Sequence, residues 1–143
     1  MGARFPHTFE EVARLAVVAG FTGYQVVTMT AISKAESNHD AYAVGVVDNP
    51  AAPDSPSYRS LDVGLWQVNT YWWPNVPVAE LLDPAGNARQ ARRVFTSRFD
   101  AAKGTWAERV KVAYSGWAVY KAGAHERHMP AAFQAAHAVG VVT

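Results

Sequence analysis

The sequence predicts a mainly α-helical fold with at most a small hairpin, and three observations lead to this prediction. Helix-capping signals, in which a hydroxyl or carboxylate side chain stands just before a helix, recur along the chain. Apolar residues follow these signals at spacings of three and four, which is the period of a helix with one buried face. Signals for extended structure are confined to one short stretch. The length of 143 residues suits one domain, and we expect a single domain over residues 1–143.

The composition argues against several classes of protein. Lys and Arg number 13 against 12 Asp and Glu, for a formal net charge of +1, whereas nucleic-acid binding needs a clear basic excess. The chain has no Cys, which rules out disulfide scaffolds, thiolate zinc sites and Cys nucleophiles. No apolar run approaches the roughly 20 residues that span a bilayer, so membrane insertion is not expected. Five Trp in a nearly neutral chain are the unusual feature.

Two helices are expected at the start of the chain. Thr8 and Glu11 have the spacing of a capping box, in which each side chain bonds the backbone N–H of the other residue. Gly20 is a natural end for the helix that follows them. A second helix is predicted over residues 23–37, with Ile32 at the centre of its apolar face.

Residues 38–62 have a different character. Gly45, Pro50, Pro53 and Pro56 interrupt any regular pattern, with Asn, Asp and Ser between them. The stretch therefore predicts a loop, with a short hairpin around residues 42–47. A loop of this length is uncommon in a compact domain and is often functional.

The second half of the chain again predicts helices. Short helical turns are expected around residues 71–73 and 78–82, and Asp83-Pro84 is a strong helix start. Thr105 starts a further helix with capping-box spacing, and residues 130–139 form the last one. The helix after Thr105 carries an apolar stripe that we expect in the core: Trp106, Val110, Ala113, Trp117 and Tyr120.

Glu36 is the first candidate for chemistry. At about 100° per residue it lies on the same helix face as Ile32, one turn later. Partial desolvation there raises the pKa of a carboxyl, and the negative end of the helix dipole acts in the same direction. A carboxyl that is protonated near neutral pH can serve as a general acid. The alternative is an ordinary solvated Glu at a frayed helix end.

The segment Gly64-Leu65-Trp66-Gln67-Val68-Asn69 is the second candidate. The amides of Gln67 and Asn69 each carry donors and an acceptor, and the Trp66 ring offers a flat apolar face. Sugars are bound by this combination, because amides pair with hydroxyl and acetamido groups while aromatic planes pack on ring C–H faces. The alternative is that Trp66 belongs to the core and the amides cap a turn.

Other candidates are weaker. Tyr114 would lie at the edge of the apolar stripe, or in the core with its hydroxyl at the surface. Asp62 and Asp40 flank the long loop and offer a second carboxylate, although Asp in loops usually forms turns. His125 and His128 have metal-pair spacing only if helical, and no zinc motif surrounds them, so no metal site is expected. A basic group on one helix is expected to be solvated: Arg89, Arg92 and Arg93.

Several motifs together resemble the lysozyme-like superfamily, with soluble lytic transglycosylases, goose-type lysozymes and their phage relatives as the nearer likeness. Residues 31–38 are similar to the family's helix that ends in Glu-Ser, and residues 64–69 to its Gly-Leu-Trp-Gln segment. Residues 83–88 look like a helix start common in the phage branch. Residues 112–116 are similar to an Ala-Tyr-Asn-Ala-Gly segment, although Ser115 replaces the usual Asn. The resemblance covers about residues 24–120.

The resemblance implies a lysozyme-like fold with a substrate cleft and cleavage of the β-1,4 bond between N-acetylmuramic acid and N-acetylglucosamine in peptidoglycan. Glu36 would protonate the leaving oxygen and then act as base, which gives a 1,6-anhydro end in a lytic transglycosylase, the favoured variant. In the lysozyme variant water is used instead, with Asp62 as the second carboxylate. Tyr114 would position Glu36 by a hydrogen bond. The implied substrate contacts are Ser37, Trp66, Gln67, Asn69 and Tyr114.

The implied partner is the peptidoglycan glycan strand, with no cofactor, no metal and a monomeric protein. The first residues lack the basic-then-apolar order of a signal peptide. We therefore expect action at the bacterial cell wall after delivery as a phage lysin or a virion tail component. Two alternatives stay open: a non-catalytic module that binds the wall or builds the virion, and a chitinase-type glycan hydrolase on the same fold.

Overall fold

The computed structural model describes residues 6–48 and 59–143. Within this part of the chain it contains seven α-helices and one three-stranded sheet, so the prediction of a mainly helical fold is confirmed. The helices are α1 (Phe9–Ala19), α2 (Tyr24–Ser37), α3 (Val78–Leu82), α4 (Pro84–Ala101), α5 (Trp106–Tyr114), α6 (Ala118–Lys121) and α7 (Met129–Ala138). The strands are β1 (Val44–Asp48), β2 (Arg59–Val63) and β3 (Val68–Asn69). A short 3-10 turn covers Glu126–His128.

The helix starts lie where the capping signals predict them. Thr8 accepts a hydrogen bond of 3.1 Å from the backbone of Glu11, whose carboxylate accepts one of 3.0 Å in return. Thr105 begins α5 through the same reciprocal pair. Asp83 caps α4 by accepting from the backbone of Gly86 at 2.9 Å. These caps satisfy backbone N–H groups that the first helical turn leaves without partners.

The sheet corrects the prediction for residues 38–62. No local hairpin forms around residues 42–47, because β1 pairs antiparallel with β2, with Val44 opposite Val63. The second strand therefore comes from beyond Pro50, Pro53 and Pro56, which lie outside the described residues. β2 is the central strand and also pairs with β3, with Asp62 opposite Asn69. Asp62 thus belongs to a strand, which fixes the direction of its side chain, and not to a loop.

The main core surrounds α2. This helix is buried on most of its circumference between α1, α6 and α7, and Met29, Ala31 and Ile32 are fully buried. Small polar residues of the same helix, among them Thr30 and Ser33, are buried with them. The loop residue Trp66 is also fully buried and belongs to this core. A smaller apolar cluster lies between the sheet and α3.

The apolar stripe predicted after Thr105 is wrong at its ends. α5 ends at Tyr114, so Trp117 and Tyr120 do not continue its face. Trp106, in the first turn of α5, is 66% exposed, whereas Trp117 is buried at the start of α6. Arg92, predicted to be solvated, lies over the rings of Phe21 and Phe95 at 5.3 and 5.4 Å and covers the core as a cation–π partner. No helix in the described ranges is long and apolar enough to cross a membrane.

Candidate active site

A cleft of about 690 Å³ lies between the sheet and the helices α4 to α6. One wall comes from β1, β2 and β3 and the turn after β3, and the other from α4 and the segment that joins α5 to α6. The end of α2 contributes Glu36 to the same cavity. The lining residues are Glu36, Val47, Asp62, Gln67, Val68, Asn69, Trp72, Trp73, Val94, Ser97, Arg98, Gly116, Trp117 and Ala118.

Glu36 has the ionisation expected from its place on α2. Burial, and to a smaller extent the negative charge of Asp62, raise the pKa of its carboxyl to about 7. The backbone N–H of Val119 donates to the carboxylate and offsets part of this rise. The carboxyl is therefore half-buried, protonated in a large fraction of molecules near neutral pH, and open to the cleft.

The buried side of the same helical turn is anchored to the loop that precedes β3. The hydroxyls of Ser33 and Ser37 donate to the backbone oxygen of Leu65 at 2.9 and 2.8 Å. Ser37 also donates to the backbone oxygen of Ser33 at 3.1 Å. Because these bonds are buried, they hold the last turn of α2 in place and limit the directions in which Glu36 can point.

The chain turns sharply after α2. Asn38 and His39 both have positive φ angles, 54° and 60°, which are unfavourable for residues other than Gly. The His39 ring is fully buried, lies edge-on to Phe9 at 4.7 Å, and is 3.0 Å from the backbone oxygen of Thr30. Burial lowers the pKa of His39 to about 4, so the ring is neutral near pH 7. This packing keeps the strained turn, and therefore the end of α2, in one conformation.

Asp62 faces the cleft from β2 and is held by its neighbour on β3. Asn69 donates from Nδ2 to the Asp62 carboxylate at 2.9 Å and to the Ser60 hydroxyl at 3.1 Å. The Asn69 oxygen accepts from the backbone of Tyr71 at 2.9 Å. Burial raises the pKa of Asp62, and the bond from Asn69 opposes this. The structure thus brings Asp62 and Glu36 into one cavity, and Asn69 orients Asp62.

Gln67 lines the cleft with a fixed amide. It adopts a positive φ of 49°, and its Nε2 donates to the backbone oxygens of Ala43 and Gly64, each at 3.0 Å. Both N–H groups are therefore used within the protein. The oxygen Oε1 accepts no hydrogen bond from the described residues, and it is the part of Gln67 that can pair with a ligand.

Two predicted substrate contacts lie behind the cleft. Trp66 is fully buried, and both of its N–H groups have partners within the protein. Its indole N–H donates to the backbone oxygen of Met29 at 2.8 Å, and its backbone N–H donates to the side-chain oxygen of Asn87 at 2.9 Å. The prediction that Trp66 forms a cleft wall is wrong, and the alternative of a core residue holds. Ser37 is 8% exposed, and its hydroxyl is used for the bonds to Ser33 and Leu65.

Tyr114 also lies elsewhere. It is buried at the end of α5, its ring packs on Phe95 and Tyr120 at 5.4 and 5.1 Å, and its hydroxyl shares a hydrogen bond with Thr28. Thr28 precedes Glu36 by eight residues, which is about 12 Å along an α-helix. The structure therefore does not bring the Tyr114 hydroxyl to Glu36, and the hydrogen bond expected between them is not formed. Burial raises the pKa of Tyr114 to about 12.

The remaining candidates, Asp40, His125 and His128, are not among the residues that line the cleft. Asp40 accepts from the backbone of Tyr42 at 2.9 Å, as a turn-forming Asp does. His125 is buried and stacks on Tyr120 at 4.7 Å, while His128 lies 3.2 Å from the Nε of Arg127. In the described ranges no group of three His, Asp or Glu could hold a metal ion.

Sequence reasoning missed most of the aromatic and cationic lining. Trp72 and Trp73 follow the Gln67–Asn69 segment, and their position beside that segment was the signal that could have identified them. Trp117 is buried in the core, as predicted, and in addition one edge of it lines the cleft; its indole donates to the backbone oxygen of Trp66 at 2.9 Å. Trp66 thus holds the Trp117 ring in position from the core side of the cleft. Arg98, on α4, carried no signal.

A half-buried carboxyl with a raised pKa and a second carboxylate, lying in one cleft with several indoles, are groups that a glycosidase uses. A family model described as a lysozyme-like domain matches residues 13–106, and the chain belongs to this family. No curated protein and no solved structure matches the chain. The members of this family are generally glycosidases, and the match indicates glycosidase activity related to peptidoglycan.

Proposed function

We propose that the protein cleaves the β-1,4 bond between N-acetylmuramic acid and N-acetylglucosamine in peptidoglycan. The observation that carries the proposal is the carboxyl of Glu36, which is half-buried in the cleft with its pKa raised to about 7. A carboxyl with this pKa can hold a proton near neutral pH and release it to a leaving oxygen. Family membership supports the choice of substrate.

In the proposed mechanism Glu36 donates its proton to the glycosidic oxygen as the bond to the anomeric carbon breaks. The leaving sugar departs with the new hydroxyl, and Glu36 is then a carboxylate that can accept a proton. In the lytic transglycosylase variant the muramic acid's own 6-hydroxyl gives Glu36 its proton and closes on the anomeric carbon. The product is a 1,6-anhydro end, and no water is consumed.

A hydrolytic variant is the second candidate, and the position of Asp62 favours it. Asp62 lies in the same cleft, close enough for its charge to raise the pKa of Glu36, and Asn69 fixes one of its oxygens. A second carboxylate can hold an attacking water or stabilise the positive charge that develops on the sugar ring. Hydrolysis leaves a reducing end in place of the anhydro end.

The lining offers separate surfaces for the sugar rings. Trp72 and Trp73 present apolar faces, and the free oxygen of Gln67 is an acceptor for a hydroxyl or an acetamido N–H. Trp72 is 71% exposed and therefore accessible to a ligand that enters from solvent. These groups would hold a neutral glycan backbone across the cleft beside Glu36.

Mass spectrometry of digested peptidoglycan tests the proposal. Purified cell walls are incubated with the protein and with Glu36→Gln, and the soluble fragments are compared. Anhydromuramyl ends identify the transglycosylase, and reducing ends identify the hydrolase. Sedimentation of the protein with walls that release no fragments would instead identify a non-catalytic wall-binding module. Cleavage of chitin oligomers but not of peptidoglycan would identify a chitinase.

A further inference from the structure

Arg98 is a fixed cation on the helical wall of the cleft. It lies in the last turn of α4, donates from Nε to the backbone oxygen of Val112 at 3.2 Å, and donates from one terminal nitrogen to the Ser115 hydroxyl at 3.1 Å. The Ser115 hydroxyl in turn donates to the oxygen of Val112 at 2.6 Å. The guanidinium is thus held across the end of α5.

The neighbouring Gly116 makes room for this arrangement. A Cβ at Gly116 would lie 2.8 Å from Cδ of Arg98 and 3.2 Å from its Nε. Any side chain at residue 116 would therefore push the Arg98 side chain away from its present path along the cleft wall. Gly116 and Arg98 both line the cavity.

Three of the five N–H groups of the Arg98 guanidinium are free to donate to a ligand. Arginine has five N–H groups in a planar fork, and Val112 and Ser115 accept from two of them. The other three form no hydrogen bond or ion pair with the described residues. A planar fork with donors to spare matches a carboxylate better than it matches a neutral hydroxyl.

The charges of the described lining are divided between the two walls. The carboxylate Asp62 lies on the sheet wall, the carboxyl of Glu36 enters from the end of α2, and Arg98 is the cation of the helical wall. An anionic group on a substrate is repelled by Asp62 and attracted by Arg98, so it is directed to the helical side. A wholly neutral glycan would gain nothing from this division of charge.

We propose that Arg98 binds a carboxylate on the lactyl substituent of the substrate's muramic acid, or on the peptide attached to it, and so selects peptidoglycan over neutral β-1,4 glycans. This inference rests on the proposed function of the cleft. The carboxylate has two chemical sources, the free lactyl group of a naked glycan or the acidic stem peptide attached to it. Both would present the same planar acceptor to the guanidinium.

Binding measurements on a slow-turnover background test this inference. In Glu36→Gln, calorimetry compares three oligosaccharides of equal length: a chitin oligomer, a muramic acid oligomer with free lactyl groups, and the same oligomer with stem peptides. We expect about five- to tenfold tighter binding of a carboxylate-bearing ligand than of the chitin oligomer, the size of one charge-assisted bond at a partly exposed site. The ligand that gains the preference identifies the source of the carboxylate.

Adding Arg98→Met to this background should bring the ratio of affinities close to one. Adding Arg98→Lys should keep part of the preference, because the charge stays while the fork is lost. Lys103→Met, which removes the same charge from an exposed residue outside the cleft, should keep the full ratio. Circular dichroism and thermal melting of each variant check that it is folded.

Equal affinity for all three ligands before Arg98 is changed would overturn this inference and leave the proposed function standing. A preference that survives Arg98→Met in a folded protein would also overturn it. Binding of none of the ligands, together with no cleavage of walls by the unaltered protein, would overturn the proposed function and the inference with it.

Discussion

Two grooves of this protein are rich in aromatic residues, but only one has the groups for acid catalysis. The second groove, of about 420 Å³, is lined by Thr22, Gly23, Tyr24, Gln25, Thr28, Trp106, Val110 and Tyr114. Its described lining includes no carboxylate, whereas the cleft has both Glu36 and Asp62. Exposed rings alone therefore do not distinguish the two grooves. The half-buried carboxyl does, because its burial changes its chemistry.

The helix α2 contributes to both grooves. Thr28, near its start, faces the second groove with Tyr114, and Glu36, at its end, faces the cleft. The first half is fixed by apolar packing, and the second half is fixed by the serine bonds to Leu65. If only the cleft is catalytic, substitutions at the two ends of this helix will have very different consequences for activity.

The largest expected effect comes from Glu36→Gln. Removing the proton donor while keeping the shape of the side chain should lower the rate of wall cleavage by about 10²- to 10⁴-fold, the usual contribution of a positioned general acid. The measurement is turbidity loss of purified cell walls at pH 6. Glu126→Gln, which changes an exposed carboxylate outside the cleft, is the matched control and should keep full activity. Full activity in Glu36→Gln would contradict the proposed function.

The same substitution should change how stability depends on pH. Folding raises the pKa of Glu36 from 4.5 to about 7, so the folded protein binds the proton more tightly, and its stability falls as pH rises across this interval. Gln has no such dependence. We compare the unfolding free energy of Glu36→Gln with that of the parent at each pH. This difference should favour the variant by about 2 kcal/mol more at pH 8 than at pH 4, a value reduced to allow for the partial exposure of Glu36. Urea unfolding at both pH values measures this, and an unchanged difference would show that Glu36 is solvated.

The position of Glu36 and the helix starts could be predicted from the sequence, because they depend on patterns within a few residues. Ile32 and Glu36 share a helix face, and the capping signals of Thr8, Asp83 and Thr105 mark three helix starts, because both depend on neighbours within a few residues. These regularities of the sequence are enough to place Glu36 at the end of a buried helix. Burial at this place is the largest cause of the raised pKa of that carboxyl, and the charge of Asp62, which the local pattern does not predict, adds to it.

Long-range pairing was not predictable. β1 finds its partner 59–63 only after the Pro-rich segment, and no local signal distinguishes that strand from a loop. Trp66 lies in the core and not in the cleft wall, and it is joined to Trp117 by a hydrogen bond that spans 51 residues of sequence. Arg98 lines the cleft and bonds to Val112 on α5 and to Ser115 just after it. Periodicity does not encode such contacts.

A smaller effect is expected from Asp62→Asn. The charge of Asp62 raises the pKa of Glu36, so its removal should lower that pKa and cause Glu36 to lose its proton at lower pH. The alkaline midpoint of the activity profile should then move to lower pH, and the rate at pH 7 should fall about three- to tenfold, by loss of protonated Glu36. Asp100→Asn, on the exposed face of α4, is the control for the change in net charge. An unshifted midpoint would show that the two carboxyls do not interact.

The smallest effect should come from Tyr114→Phe, on the other groove. The hydroxyl lost in this variant pairs with Thr28 and not with Glu36, so the rate of wall cleavage should change by less than about twofold, while stability falls by about 1 kcal/mol, as for one buried hydrogen bond. Thr28→Val removes the same bond by taking away its other partner and should lower the stability by the same amount. The double variant should be no less stable than either single variant, because only one bond is lost. A tenfold loss of rate in Tyr114→Phe, with Thr28→Val fully active, would show that Tyr114 reaches Glu36 during the reaction. In that case the end of α5 must move when the glycan binds, and the separation of the two grooves would hold only for the free protein.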